Sequence, residues 1–144
     1  MATSFDTIID RGLITVSDYK LVKLYNQDFN AFQKRCDSYL VSAVPNFVQC
    51  RQDLSYNLET REFNADLTES EISILADMWQ LEWFDGEVQI SSAFANVLQT
   101  AGSFKTHSPA QNLKEKSTYQ DKMREKIAQR ITQYQLEDID NIEI

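Results

Sequence analysis

Apolar side chains recur at intervals of three and four residues along three stretches of the chain, and this spacing predicts α-helices. Residues 29–43 carry one such stripe, which begins at Phe29 and Phe32. Residues 69–85 and 109–134 carry the other two. We therefore predict an all-α fold, a small helical bundle with a long C-terminal helix and an extended acidic tail.

Two of these helices have well-marked first turns. Thr68 and Glu71 have the spacing of a capping box, in which the Thr hydroxyl accepts from the Glu amide and the Glu carboxylate accepts from the Thr amide. Ser108 followed by Pro109 marks the other start, because Ser is a favoured cap and Pro suits the first helical position.

The remaining segments are shorter or less regular. We predict a short helix in residues 3–12, another from Ser17, and a third after Pro45. Residues 55–66 are polar and unperiodic, which favours a loop with a short extended piece. Residues 87–107 fit either an amphipathic helix or an extended crossing of the helical body.

Composition supports a helical fold. The chain has 144 residues with 3 Gly and 2 Pro, too few turn-forming residues for a sandwich or barrel of many short strands. We predict one helical domain in residues 1–136 followed by an acidic tail in residues 137–144. No apolar run approaches the roughly 20 residues that cross a bilayer, so we expect no membrane partner.

Charge is distributed unevenly around a net value of −8. Residues 1–104 carry 7 basic and 15 acidic groups, residues 105–136 carry 7 basic and 3 acidic groups, and the acidic tail carries 4 acidic groups. The overall sign disfavours nonspecific nucleic-acid binding as the main task. An acidic body beside a basic segment suits contact between copies of the chain. The alternative is a solvated helix with scattered lysines.

Apolar residues interleave with the charges of the tail. Ile139, Ile142 and Ile144 alternate with acidic side chains and follow Leu136. Alone, so short a segment cannot bury them, so we predict that it orders against a partner, as a helix or as an added strand. The alternative is a solvated chain end. The residues that we assign to partner interfaces are Phe104, Lys105, Lys122, Lys126, Arg130, Leu136, Ile139, Ile142 and Ile144.

The sequence offers little catalytic chemistry. Its single histidine, His107, and its two cysteines, Cys36 and Cys50, cannot build the usual four-ligand zinc site, and we expect reduced, inert thiols. The carboxylates near Thr68 fit helix caps better than an acid–base pair. Trp79 and Trp83 lie one turn apart; we expect them in the core, the alternative being a platform that stacks a base or sugar. We predict no enzyme activity and no cofactor or metal.

Three stretches, 61–69, 74–84 and 104–114, resemble small virion structural proteins of tailed bacteriophages, notably those of gut Firmicutes, and similar head–tail connector proteins. The resemblance covers roughly residues 5–135. It implies a helical adaptor subunit that forms a ring, usually of twelve, in the neck of the virion after assembly in the host cytoplasm. Its expected partners are the portal protein, the next neck or tail protein, and DNA that passes without sequence-specific binding. The alternatives are a stopper or tail-completion protein, or a helical regulatory protein outside the virion.

Overall fold

A computed structural model describes the backbone of residues 2–14, 19–101 and 109–140, and the side chains of 2–14, 21–86, 114–115 and 117–137. Helices dominate this part of the chain, which confirms the predicted class. In chain order the elements are β1 (Thr3–Ser4), α1 (Phe5–Leu13), α2 (Tyr19–Gln27), α3 (Phe29–Ala43), a 3₁₀ turn (Val44–Asn46), β2 (Tyr56–Asn57), β3 (Glu62–Phe63), α4 (Glu69–Ala101) and α5 (Pro109–Asp140).

The predicted first turn of α4 is confirmed. The Thr68 hydroxyl accepts from the Glu71 amide at 3.3 Å, and the Glu71 carboxylate accepts from the Thr68 amide at 2.8 Å. Helix α4 then continues past Gly86 to Ala101, well beyond the predicted end. Of the two alternatives for residues 87–107, the helix is therefore present as far as Ala101, and residues 102–108 lie outside the described part.

The C-terminal helix is also longer than predicted. Helix α5 begins at Pro109 and continues through Asp140, so the first four residues of the acidic tail are helical. Residues 141–144 lie outside the described part. The predicted short helix after Pro45 is wrong: Pro45 lies in the 3₁₀ turn, and the chain runs on without a helix until α4.

The core forms where α1, α3, α4 and α5 meet. Trp79 is completely buried, and its indole Nε1 donates to the Cys36 carbonyl at 2.9 Å. Gly12 of α1 lies against its ring, where a Cβ would stand 2.6 Å from a ring carbon. Trp83 is only half-buried, so the prediction of two core tryptophans holds for Trp79 alone.

A small antiparallel sheet, ordered β1–β3–β2, adds to the helical fold. Arg61, with a left-handed φ of 56°, precedes β3 and binds Asp37 and Asp6, each at 2.8 Å. The Thr3 hydroxyl accepts from the Leu67 amide at 2.9 Å. These contacts hold the loop between α3 and α4 to the start of the chain and so position the first turn of α4.

Candidate assembly surface on the α4–α5 hairpin

Helices α4 and α5 form a long antiparallel hairpin. Tyr134 meets Glu71, and Arg130 meets Asp77, so residues late in α5 contact residues early in α4. Farther along, the Tyr119 ring packs edge-on against Phe84 with centroids 5.0 Å apart. With 33 and 32 residues, the two helices are each about 50 Å long at 1.5 Å per residue.

A buried polar cluster joins the C-terminal half of α5 to the first turn of α4. The Glu71 carboxylate accepts from the Tyr134 hydroxyl at 2.6 Å and from Gln52 Nε2 at 2.6 Å, as well as from the Thr68 amide. Cys50 donates weakly to it at 3.4 Å. A capping residue thus also fixes α5 and the loop that follows α3.

The hydrogen bonds decide the charge state of Glu71. Burial alone would raise the pKa of this carboxyl, but the donated hydrogen bonds from Thr68, Tyr134 and Gln52 outweigh burial and lower it. Burial and the bond to Glu71 raise the pKa of the Tyr134 phenol. Glu71 is therefore an ionised acceptor and Tyr134 a neutral donor, which is the charge-assisted pairing that gives strong hydrogen bonds.

Arg51 clamps the same tyrosine from the solvent side. Its backbone amide donates to the Tyr134 hydroxyl at 2.8 Å, and its guanidinium Nη1 donates to the Tyr134 carbonyl at 2.8 Å. The guanidinium carbon also stands 3.8 Å from the centre of the ring, a cation–π distance. The cluster therefore anchors α5 to the loop that follows α3.

Arg130, one of the predicted interface residues, is engaged within its own chain. Its Nε lies 3.1 Å from Asp77 Oδ2, and the Asp77 side chain is only 14% exposed. The contact is ionic, because that oxygen has no well-aligned hydrogen-bond donor among the described residues. Burial raises the pKa of Asp77, while Arg130 and Lys126 oppose the rise.

Lys122 and Lys126 lie one turn apart on α5, and both are exposed. They border a small cavity of about 120 Å³ between the two helices, well below the usual size of a ligand pocket. Among the described residues neither lysine forms an ion pair with a carboxylate. Among the described basic residues of the predicted interface, these two lysines are therefore the ones that form no ion pair within the described part of the chain.

The other predicted interface residues are placed only in part. Leu136 is half-exposed near the end of α5. The backbone of Ile139 belongs to α5, but its side chain lies outside the described part, as do Phe104, Lys105, Ile142 and Ile144 in full.

Carboxylates and thiols are dispersed over the described residues. Asp85 accepts from Gln120 and lies 3.5 Å from Arg124, while Glu82 accepts from Asn46 at 3.2 Å. The described part of the chain contains no group of three or more His, Cys, Asp and Glu residues that could hold a metal ion. Both cysteines are free thiols, and burial raises the pKa of Cys36 to about 12.

A second surface, which the sequence analysis missed, lies where α2 meets α3. Val22, Tyr25 and Phe29 are 57%, 52% and 50% exposed, and the rings of Tyr25 and Phe29 meet edge-on at 5.3 Å. We call these three residues the aromatic patch. The net charge of residues 1–104 hides a local basic stretch, because four of the seven basic residues in that range fall within residues 19–35.

Comparison of the chain with protein-family models, curated proteins and solved structures gave no match. In the described part of the chain, no helix combines the length and the hydropathy that a transmembrane span requires.

Proposed function

We propose that this chain is a structural subunit of a phage virion, a head–tail connector that forms a ring between the portal and the next neck or tail protein. The sequence resemblance supplies the specific class. The fold supports the more general part of the proposal, that the chain works by assembling with other molecules, through two features of α4 and α5.

The observation that carries the proposal is that, among the described residues, the core buries only a short part of each of these long helices. Among the described side chains of α4, those of residues 69–86, every buried one lies between Glu71 and Trp79. In α5, the buried residues among those described are Ile127 and Tyr134, both in its second half. Among the described residues, the core therefore uses the N-terminal part of α4 and the second half of α5. Residues 80–86 of α4 are only partly buried, so this part of the helix is suited to pack against a neighbour.

The second feature is the exposed charge of Lys122 and Lys126 on a chain with a net charge of −8. Such a face fits the acidic body of an adjacent copy. Individual exposed pairs contribute little and are screened by salt. We therefore expect the ring to require the portal or a high protein concentration.

Low strand content favours an adaptor over the stopper alternative. Stopper and tail-completion proteins tend to be richer in strands, whereas the described strands of this chain have two residues each. A helical regulatory protein outside the virion is also compatible with the fold, and it differs in being absent from virions.

Charge reversal at two positions tests the role of the basic face. Lys122→Glu with Lys126→Glu should abolish incorporation into the neck while lowering the melting temperature only slightly, because both side chains are exposed and Asp77 keeps its contact with Arg130. Arg130 is left intact, since Glu at that position would face the buried Asp77 and destabilise the fold. Incorporation is measured by immunoblotting purified particles assembled with each variant.

The matched control is Lys122→Arg with Lys126→Arg, which keeps both charges and should be incorporated normally. Normal incorporation of the Glu variant would remove this face from the assembly mechanism. Absence of the wild-type chain from purified particles would overturn the proposed function itself.

A further inference from the structure

The aromatic patch is an unusual surface for this chain. Val22 and Tyr25 lie on α2, one turn apart, and Phe29 opens α3. Tyr25 also meets Phe32 edge-on at 5.2 Å, and Phe32 packs against the core. The patch is thus held by the fold on one side and open on the other. A cluster of large apolar side chains at this exposure is typical of an interaction site.

The stretch of chain that contains the aromatic patch has a net charge opposite in sign to that of residues 1–104 as a whole. Residues 19–35 carry four basic residues, Lys20, Lys23, Lys34 and Arg35, and one acidic residue, Asp28. Asp28 caps α3 by accepting from the Ala31 amide at 3.2 Å. Lys23, Lys34 and Arg35 are exposed, and none of them forms an ion pair with a described carboxylate. The three other basic residues of 1–104, in contrast, are engaged within the chain.

The chemistry that fits this surface is a short segment that alternates large aliphatic residues with carboxylates. Residues 136–144 have this composition: Leu136 and three isoleucines alternate with four acidic residues, and no basic residue is present. Leu136 is half-exposed at the position where the segment begins. Glu137 accepts from the Ser70 hydroxyl of its own chain at 3.2 Å. The other three carboxylates of the segment complement the net charge of +3 of residues 19–35.

We propose that the aromatic patch is the docking site for residues 136–144 of a second copy of this chain. The isoleucines contact Val22, Tyr25 and Phe29, and the carboxylates face the surrounding basic side chains. The inference deepens the proposed function and rests on it for the expectation that copies of the chain meet one another.

Patch and segment are different surfaces, so the contact is heterologous. Each copy offers one patch and one segment, and such contacts continue from copy to copy until they close into a ring or extend as a filament. The contact therefore supplies the subunit-to-subunit link that a ring requires.

Mixing two full-length variants tests the contact. The patch variant carries Tyr25→Ser and Phe29→Ser, and the segment variant carries Ile142→Ser and Ile144→Ser. Analytical ultracentrifugation over a concentration series to about 1 mM, the weak end of specific association, measures the mass of each and of their equimolar mixture. We expect wild type to assemble beyond the dimer. Each variant alone should need at least about tenfold more protein, a loss of about 1.4 kcal/mol.

The mixture distinguishes this specific contact from nonspecific association. The patch variant retains an intact segment and the segment variant retains an intact patch, so their mixture should recover dimers and no larger species. A mixture that behaves like the separate variants overturns the proposal. A wild-type chain that stays monomeric also overturns the proposal. In that case the segment docks on the patch of its own chain or on a different protein, and not on a second copy.

Two further variants guard against loss of folding. Lys23→Glu with Lys34→Glu reverses the surrounding charge without removing an apolar contact, and it should weaken assembly as the patch variant does. Val48→Ser with Leu58→Ser removes exposed apolar groups elsewhere and should leave assembly unchanged. Equal effects of these two variants contradict the proposal. A chain that shows the expected mixing but is absent from virions refutes the proposed function and leaves this contact standing.

Discussion

Tyr134→Phe removes a single oxygen from the polar cluster that anchors α5. That hydroxyl donates to the ionised Glu71 at 2.6 Å and accepts from the Arg51 amide at 2.8 Å. The ring keeps its place, because Phe occupies nearly the same volume and still packs edge-on against Phe47. The variant therefore reports the polar contribution with little change in apolar burial.

The expected cost follows from the partners. A hydrogen bond to a charged group contributes about 1.5–3 kcal/mol, and the Arg51 amide is left facing an apolar ring. Glu71 keeps its hydrogen bonds from the Thr68 amide and from Gln52, so its negative charge still has two donors. We expect the free energy of unfolding to fall by about 2–3 kcal/mol.

Urea unfolding measures this change as a lower midpoint with an unchanged slope. Tyr119→Phe is the matched control, because this tyrosine is half-exposed, and it should stay within about 0.5 kcal/mol of wild type. A change of less than about 0.5 kcal/mol for Tyr134→Phe would show that the cluster does not anchor α5.

The same variant has a defined pH dependence. The pKa of Glu71 is lowered in the folded chain, so its contribution to stability is complete above the ordinary value of 4.5 and is lost as the pH falls through the folded-state pKa. Tyr134→Phe removes one of the bonds that lower this pKa. The difference between variant and wild type should therefore be largest near neutral pH and shrink below pH 4.5. A difference that grows on acidification would contradict this assignment.

Three further substitutions test the packing, and one deletion tests the acidic tail. In the same urea assay, Gly12→Ala should destabilise the fold by about 1–3 kcal/mol, because the new Cβ meets the Trp79 ring. Gly86→Ala has open space around the new Cβ and should stabilise α4 by up to about 1 kcal/mol. Equal effects of the two substitutions would refute the close approach of Gly12 to Trp79. Trp79→Ala should cost about 3–5 kcal/mol, and a cost below about 1 kcal/mol would mean that the indole is exposed. Deleting residues 137–144 removes the exposed contacts of Glu137 with Ser70 and Arg51, so the melting temperature of the isolated chain should fall only slightly, but the heads should fail to join tails. Full infectivity would show that the tail is not a docking element.

The sequence predicted best where the deciding interactions are local. Thr68 and Glu71 are three residues apart, so the capping box was readable without tertiary information. The bounds of α3 also follow from local signals, an Asp28 cap and Pro45 at its far end. The end of α4 was missed because Gly86 signals a stop, while a glycine inside a helix costs only about 1 kcal/mol, which packing along α5 can offset.

Interactions between distant residues could not be predicted in the same way. Arg130 was assigned to an interface as part of the basic segment. Its contact with Asp77 across the hairpin could not be predicted, because no sequence pattern shows that the two residues face each other. Tyr134 was recognised as part of the apolar stripe of α5, but its hydroxyl contacts depend on where Arg51 and Glu71 come together in the fold. The aromatic patch needed both the α2–α3 corner and the exposure of its side chains.

Quantitative mass spectrometry of purified virions tests the central claim most directly. If the chain is a connector, its peptides should be present in intact particles at about twelve copies each, the ring size usual in such adaptors, and absent from tail-less heads that lack a neck. Detection only in the infected-cell lysate, or in particles at a copy number that no single ring can supply, would contradict the account.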